Sequence, residues 1–237
     1  MSGIAVLVFA RCAGFVFRAP GFSHPSVPHI VRVILAGALT VGIAPLLGHR
    51  AVADRFVIVA LPLEFGIGSA IGTAASVLYD AAYAGGRIID DYVGVKAVAP
   101  TIALVAPSGF GRVFSTAATS GFFLFGAYRI TIVALSSSFR SIVSADLLPP
   151  HAWFAFATAL ISGVVVTAVT IAAPAIALAL VAQVALAAMS RIVPRFSSFA
   201  LSFPLAFGAV LVATAIVIPL VAAKGATPLL TLPWSGR

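Results

Sequence analysis

Charge is what this chain lacks most. Only 8% of its residues are charged and 62% are hydrophobic, with a mean hydropathy of +1.17. Soluble domains carry roughly 25% charged residues. So few charges cannot cover a globule in water, which places the chain among integral membrane proteins. Acid is scarcer than base: 6 Asp and Glu stand against 14 Lys and Arg, a net charge of +8. In a soluble protein a pI near 10.8 would point to nucleic acid. Here the basic residues are scattered between apolar runs, without a cluster or interleaved aromatics. They read as interfacial anchors and topology signals, and no nucleic-acid partner is expected.

Cysteine is nearly absent. Cys12 stands alone, which excludes an internal disulfide and a cysteine-based metal site. His24, His29, His49 and His151 fall in loops and never pair at helical spacing, so neither a metal nor another cofactor is expected. There is no nucleophile-elbow serine, no glycine-rich phosphate cradle and no carboxylate pair in a catalytic setting. Asp90 and Asp91 read as a solvated helix end. The chain is not expected to be an enzyme. The start, MSGIAVLVFA, lacks a basic region and a small-residue cleavage pattern, so a removable signal peptide is not expected. No close internal repeat is visible.

What is present is apolar length. The pattern predicts an all-α membrane protein of about six helical segments, in kinked hairpins, as one membrane-embedded domain over 1–237. The segments are Ile4 to Phe17, interrupted by Arg11; Val31 to Leu47; Phe56 to Ile89; Val113 to Ser138; Trp153 to Met189; and Phe196 to Ala223. The third and fifth are overlong. A spanning helix needs about 20 residues, so these must tilt, bend or leave the lipid. Asp90 to Arg112 reads as a linker with an apolar middle. The loop charges divide too evenly to orient the chain.

One stretch, Glu64 to Gly94, concentrates the informative residues. Glu64 is a carboxylate inside an apolar helix, where a charge costs on the order of 2.5–3.5 kcal/mol. Three readings are open: a proton or cation site, a polar contact to a neighbouring helix or subunit, or a placement at the membrane interface. Arg129 is the other mid-segment charge, and spacing does not imply that the two pair. Gly68, Gly72 and Ser76 recur every four residues and offer a small-residue face for close helix packing, within the chain or across a subunit boundary. Gly85 and Gly86 offer a bend.

Three longer stretches carry a resemblance. They are FRAPGFSHPSVPHIVRVILAGALTVGIAPLL, IGSAIGTAASVLYDAAYAGGRIIDDYVG and VALAAMSRIVPRFSSFALSFPLAF. Within them Pro20, Pro28 and Arg32, then Asp90 and Gly94, then Arg191, Pro194, Phe203 and Pro204 fall in order. The chain resembles the FliR/SctT family, the export-gate subunits of flagellar and injectisome type III secretion systems. It departs from the family pattern at Ala206, at Ser197-Ser198 and in the linker KAVAPTIALVAP.

The resemblance implies a non-enzymatic subunit of the bacterial inner membrane. Such subunits join FliP- and FliQ-like chains, with FlhB- and FlhA-like proteins in the same apparatus, and line a pore for unfolded secreted proteins. It favours the contact reading of Glu64. It also makes the apolar linker a candidate pore plug, through Val95, Val98, Ile102, Leu104, Val105 and Phe110. The rival expectation is a small secondary transporter using Glu64 and Arg129 at discontinuous helices.

Overall fold

In hydrocarbon each unpaired backbone N–H or C=O costs several kcal/mol, so an apolar chain must satisfy its backbone internally. This chain does so with helices. The computed structural model describes residues 3–24, 26–47, 54–93, 109–141, 150–192 and 198–224. Among the described residues there are seven α-helices and no strand. They are α1 (Gly3–Arg18), α2 (His29–Ile43, followed by a 3-10 turn, Ala44–Leu47), α3 (Asp54–Val93), α4 (Gly109–Leu124), α5 (Ala127–Ser141), α6 (Pro150–Ile192) and α7 (Ser198–Lys224). The all-α expectation holds.

Six apolar segments appear as seven helices because the fourth is broken. Gly126 adopts a left-handed conformation, φ +75°, which a side chain would resist. Its N–H donates to the Phe123 carbonyl (3.3 Å), and the Arg129 N–H donates to its own carbonyl (3.0 Å). The axis turns by 71° there. Two stretches placed in the linker by sequence, Asp90 to Val93 and Gly109 to Arg112, are helical. Pro62, Pro174, Pro204 and Pro219 lie inside α3, α6 and α7 without ending them.

Among the described residues three helices are long and apolar enough to cross a membrane: Ala60–Val93, Trp153–Met189 and Pro204–Val221. The bent α4–α5 pair makes a fourth if it counts as one span. At 15 residues, α2 is too short.

The helices gather into two units. The first holds α1, α2, α3 up to Val77, α5 and the start of α6 up to Ile161. Phe15, Val16, Ile71, Leu135 and Phe139 fill its core. The second holds α3 from Leu78, α4 up to Gly121, α6 from Ser162, and α7. Its core is built from Ile89, Phe114, Ala175, Ala179 and Val210.

In the first unit α1 and α3 touch backbone to backbone. A methyl group at Gly68 would overlap the Arg11 carbonyl; one at Gly14 would overlap the Phe65 carbonyl. One at Gly72 would sit 2.7 Å from the Phe15 carbonyl oxygen. Lipid tails are as apolar as leucine, so such helices are held by close van der Waals contact, which small residues permit. Gly68→Ala should therefore destabilise the fold by about 1–3 kcal/mol through overpacking. At Gly66 a methyl group would meet nothing within 4 Å. Gly66→Ala should be neutral or stabilising by up to about 1 kcal/mol. Thermal unfolding in detergent compares the two; equal effects would mean that the close approach has no energetic weight.

Candidate functional site

A lone arginine in an apolar helix must find an acceptor, and Arg11 finds three kinds of partner. Its side chain is 1% exposed. Nε donates to Glu64 Oε2 at 2.5 Å, an ion pair between α1 and α3. One terminal nitrogen donates to Ser138 Oγ of α5 at 3.0 Å. The guanidinium carbon lies 4.2 Å from the centre of the Phe139 ring. Ser138 in turn donates to the Leu135 carbonyl at 2.6 Å. Three helices thus meet at one buried charge pair.

The glycine face and the ion pair are one device. Glu64 and Gly68 share a face of α3, one turn apart. The atom that forbids a side chain at Gly68 is the carbonyl of Arg11 itself. Close backbone approach sets the distance across which Arg11 and Glu64 meet. Further along, Arg18 Nε donates to Thr73 Oγ1 at 3.2 Å. Ser76 is buried and donates to the Thr73 carbonyl. Glu64 thus faces Arg11, while Arg129 is exposed and bonds Tyr128 at 3.1 Å. The structure does not bring together the two charges of the transporter expectation.

A second arginine shapes the α1–α2 connection. Arg32 is 8% exposed. It donates to the carbonyls of Ser23 (3.2 Å) and His24 (2.8 Å) and lies 5.8 Å from the Phe17 ring centre. Among the described residues its Nε has no hydrogen-bond partner. Phe17 also stacks on His29, centroids 6.4 Å apart. Pro28 precedes α2 in an extended conformation, and its carbonyl accepts from the Val31 and Arg32 N–H groups. Pro20 is buried in the turn after α1. Pro20, Pro28 and Arg32 of the first family stretch therefore lie at the α1–α2 connection.

In the second unit Asp90 is 2% exposed, not solvated as expected. It accepts from the Phe110 N–H at 3.3 Å. The carboxylate thus caps the first turn of α4, where orphan N–H groups favour negative charge. Asp91 is exposed. Gly85 and Gly86 lie within the continuous α3; a methyl at Gly85 would sit 2.8 Å from the Ala168 carbonyl oxygen, and one at Gly86 would overlap Gly111. Phe110 is buried against Phe207, ring centres 5.8 Å apart. Arg191 and Pro204 are exposed, and Phe203 lies within α7. Gly94, Val95, Val98, Ile102, Leu104, Val105 and Pro194 lie outside the described residues.

Sequence reasoning missed Arg11 and Ser138, and read Asp90 as surface. The signal for Arg11 was available: a chain with 6 acidic residues has few carboxylates to offer a buried guanidinium, and Glu64 sits in the apolar start of the third segment. Ser138 and Asp90 gave no comparable signal, since serine runs and helix-end aspartates are common in solvent.

Described residues that are all helical, with three or four helices long and apolar enough to cross a membrane, mark a multi-pass membrane protein. Residues 3–227 match the family described as bacterial export proteins, family 1, and the chain belongs to that family, the FliR/SctT family that its sequence resembles. It is a membrane component of a bacterial type III protein export apparatus. No curated protein matches the chain.

Removing one member of the ion pair strands the other in the core. Glu64→Leu or Arg11→Met alone should each cost about 3–5 kcal/mol, and the double replacement should recover much of that loss. A double-mutant cycle on thermal unfolding reads this; strictly additive losses would separate the two residues. Asp90→Ala should weaken the start of α4 by about 0.5–2 kcal/mol. Amide exchange at Phe110 should then accelerate, and unchanged exchange would remove the cap from the account.

Proposed function

We propose that the chain is a non-enzymatic subunit of the type III export gate in the bacterial inner membrane. It assembles with FliP- and FliQ-like chains, beside FlhB- and FlhA-like proteins, and helps to line the path of unfolded export substrates. The observation that carries this reading is the family match along almost the whole chain. The exposed apolar surface supports it. Only 28% of the apolar 18-residue window within Trp153–Met189 and 33% of Pro204–Val221 is buried within the chain. Val166, Val181, Ile216 and Leu220 are each more than half exposed. A subunit that completes its core with neighbours would have such faces.

In this reading Glu64, Gly68, Gly72 and Ser76 hold α3 against α1, so that the chain meets its partners as a preformed surface. Gly85 and Gly86 do the same for α3 in the second unit. Passage is passive; the energy comes from partner proteins and the proton gradient.

Tagged chain should co-purify from membranes with FliP- and FliQ-like subunits as a stable complex, and its deletion should abolish secretion of unfolded substrates. A chain that purifies alone, with secretion intact after its deletion, would overturn the gate assignment.

A further inference from the structure

The second unit carries a surface that does not suit lipid. Asp80, Arg87 and Asp91 are exposed on α3. On α4, Arg112 and Thr116 are exposed and Thr119 is half-buried. The two helices run antiparallel at their contact. Asp90 reaches Phe110, while Gly86, one turn earlier on α3, meets Gly111, later on α4.

A helix advances by about 100° per residue. Counted from Gly86, Asp80, Arg87 and Asp91 fall roughly 100–140° around α3. Counted from Gly111, Arg112, Thr116 and Thr119 fall roughly 80–140° around α4. Antiparallel neighbours count in opposite directions, so both stripes come to the same side of the pair. Six polar side chains from two helices share one face.

This face contrasts with the rest of the chain. Ile88 and Val113, beside the stripes, are apolar and exposed. A charge facing the middle of a bilayer costs on the order of 2.5–3.5 kcal/mol, so wherever these four charges lie at that depth they disfavour lipid on this side. Apolar helix faces serve lipid and apolar partners; this one serves water. From Arg112 to Thr119 it mixes both signs of charge with hydroxyls, while Phe123, further along α4 at the same angle, is apolar and 38% exposed. Over the polar length such a surface stays hydrated and gives an unfolded chain no apolar foothold.

We infer that the Asp80–Arg87–Asp91 and Arg112–Thr116–Thr119 face borders the water-filled export conduit and is brushed by unfolded polypeptide in transit. This rests on the gate reading and adds to it which side of the chain meets the cargo.

The near absence of cysteine makes the test direct, because native Cys12 is fully buried and sets the background. Single cysteines replace Asp80, Arg87 or Thr116, with Val113→Cys as the apolar neighbour. Membranes containing the assembled complex receive a membrane-impermeant thiol reagent. The reagent is applied with and without an export substrate stalled by a tightly folded fusion domain. The three polar positions should label, Val113→Cys should not, and the stalled substrate should abolish the labelling. Labelling that ignores the stalled substrate places the face in bulk water and overturns the inference. So does an absence of labelling, which places it against a polar partner surface. Three positions keep the test alive if one variant fails to assemble. Co-purification of the unaltered chain with its partners is read separately. Its failure sinks the gate reading, whereas failure of labelling in an assembled complex sinks only this face.

Discussion

The first unit depends on one buried ion pair made where two helices touch backbone to backbone. Arg11 and Glu64 are both almost wholly excluded from solvent, and each would be intolerable alone. Their pairing is weak evidence for net stability, because desolvation offsets most of the attraction. What it supplies is register. Slide α1 along α3 by one turn and a guanidinium loses its carboxylate, while Gly68 no longer sits beneath the Arg11 carbonyl. An all-apolar interface of alanines and glycines has many near-equal registers; a charge pair beside a glycine leaves one. Ser138 and Phe139 extend that choice to α5.

The second unit uses the same economy of charge. Asp90 is spent on the amino end of α4 and ties it to α3 at the point where Gly86 admits the Gly111 backbone. Among the described residues each unit thus has one buried carboxylate placed next to a glycine contact. In a chain so poor in acid, their positions mark where neighbouring helices must not slip. Among the exposed charges, Asp80, Arg87, Asp91 and Arg112 share one side of the α3–α4 pair.

Much of this was legible in the sequence, for physical reasons. Apolar runs in a chain with few charges can only be helices in lipid, and the helix ends fell close to the expected punctuation of prolines, glycines and basic residues. Gly68 and Gly72 declared a close-packed face. The partner of Glu64 was not legible, because two arginines sat in apolar segments and spacing cannot rank contacts between helices far apart in sequence. The break at Gly126 was also hidden. Gly121 and Gly126 look alike in the sequence, and only the second takes a left-handed conformation. Asp90 was misread because a carboxylate at the end of one helix looks solvated until the start of another is laid beside it.

The turn at Gly126 has a consequence for what can surround this protein. A helix that ends leaves its last carbonyls without intrahelical donors, and the next helix begins with amides that lack acceptors. Hydrocarbon can satisfy neither. Yet Leu124 and Phe125, at the turn itself, are exposed and apolar. A corner that is polar in its backbone and greasy in its side chains is poorly matched to water and to acyl chains. It suits the seam of a multi-chain assembly, where a neighbour can offer donors to the backbone and an apolar socket to the phenylalanine.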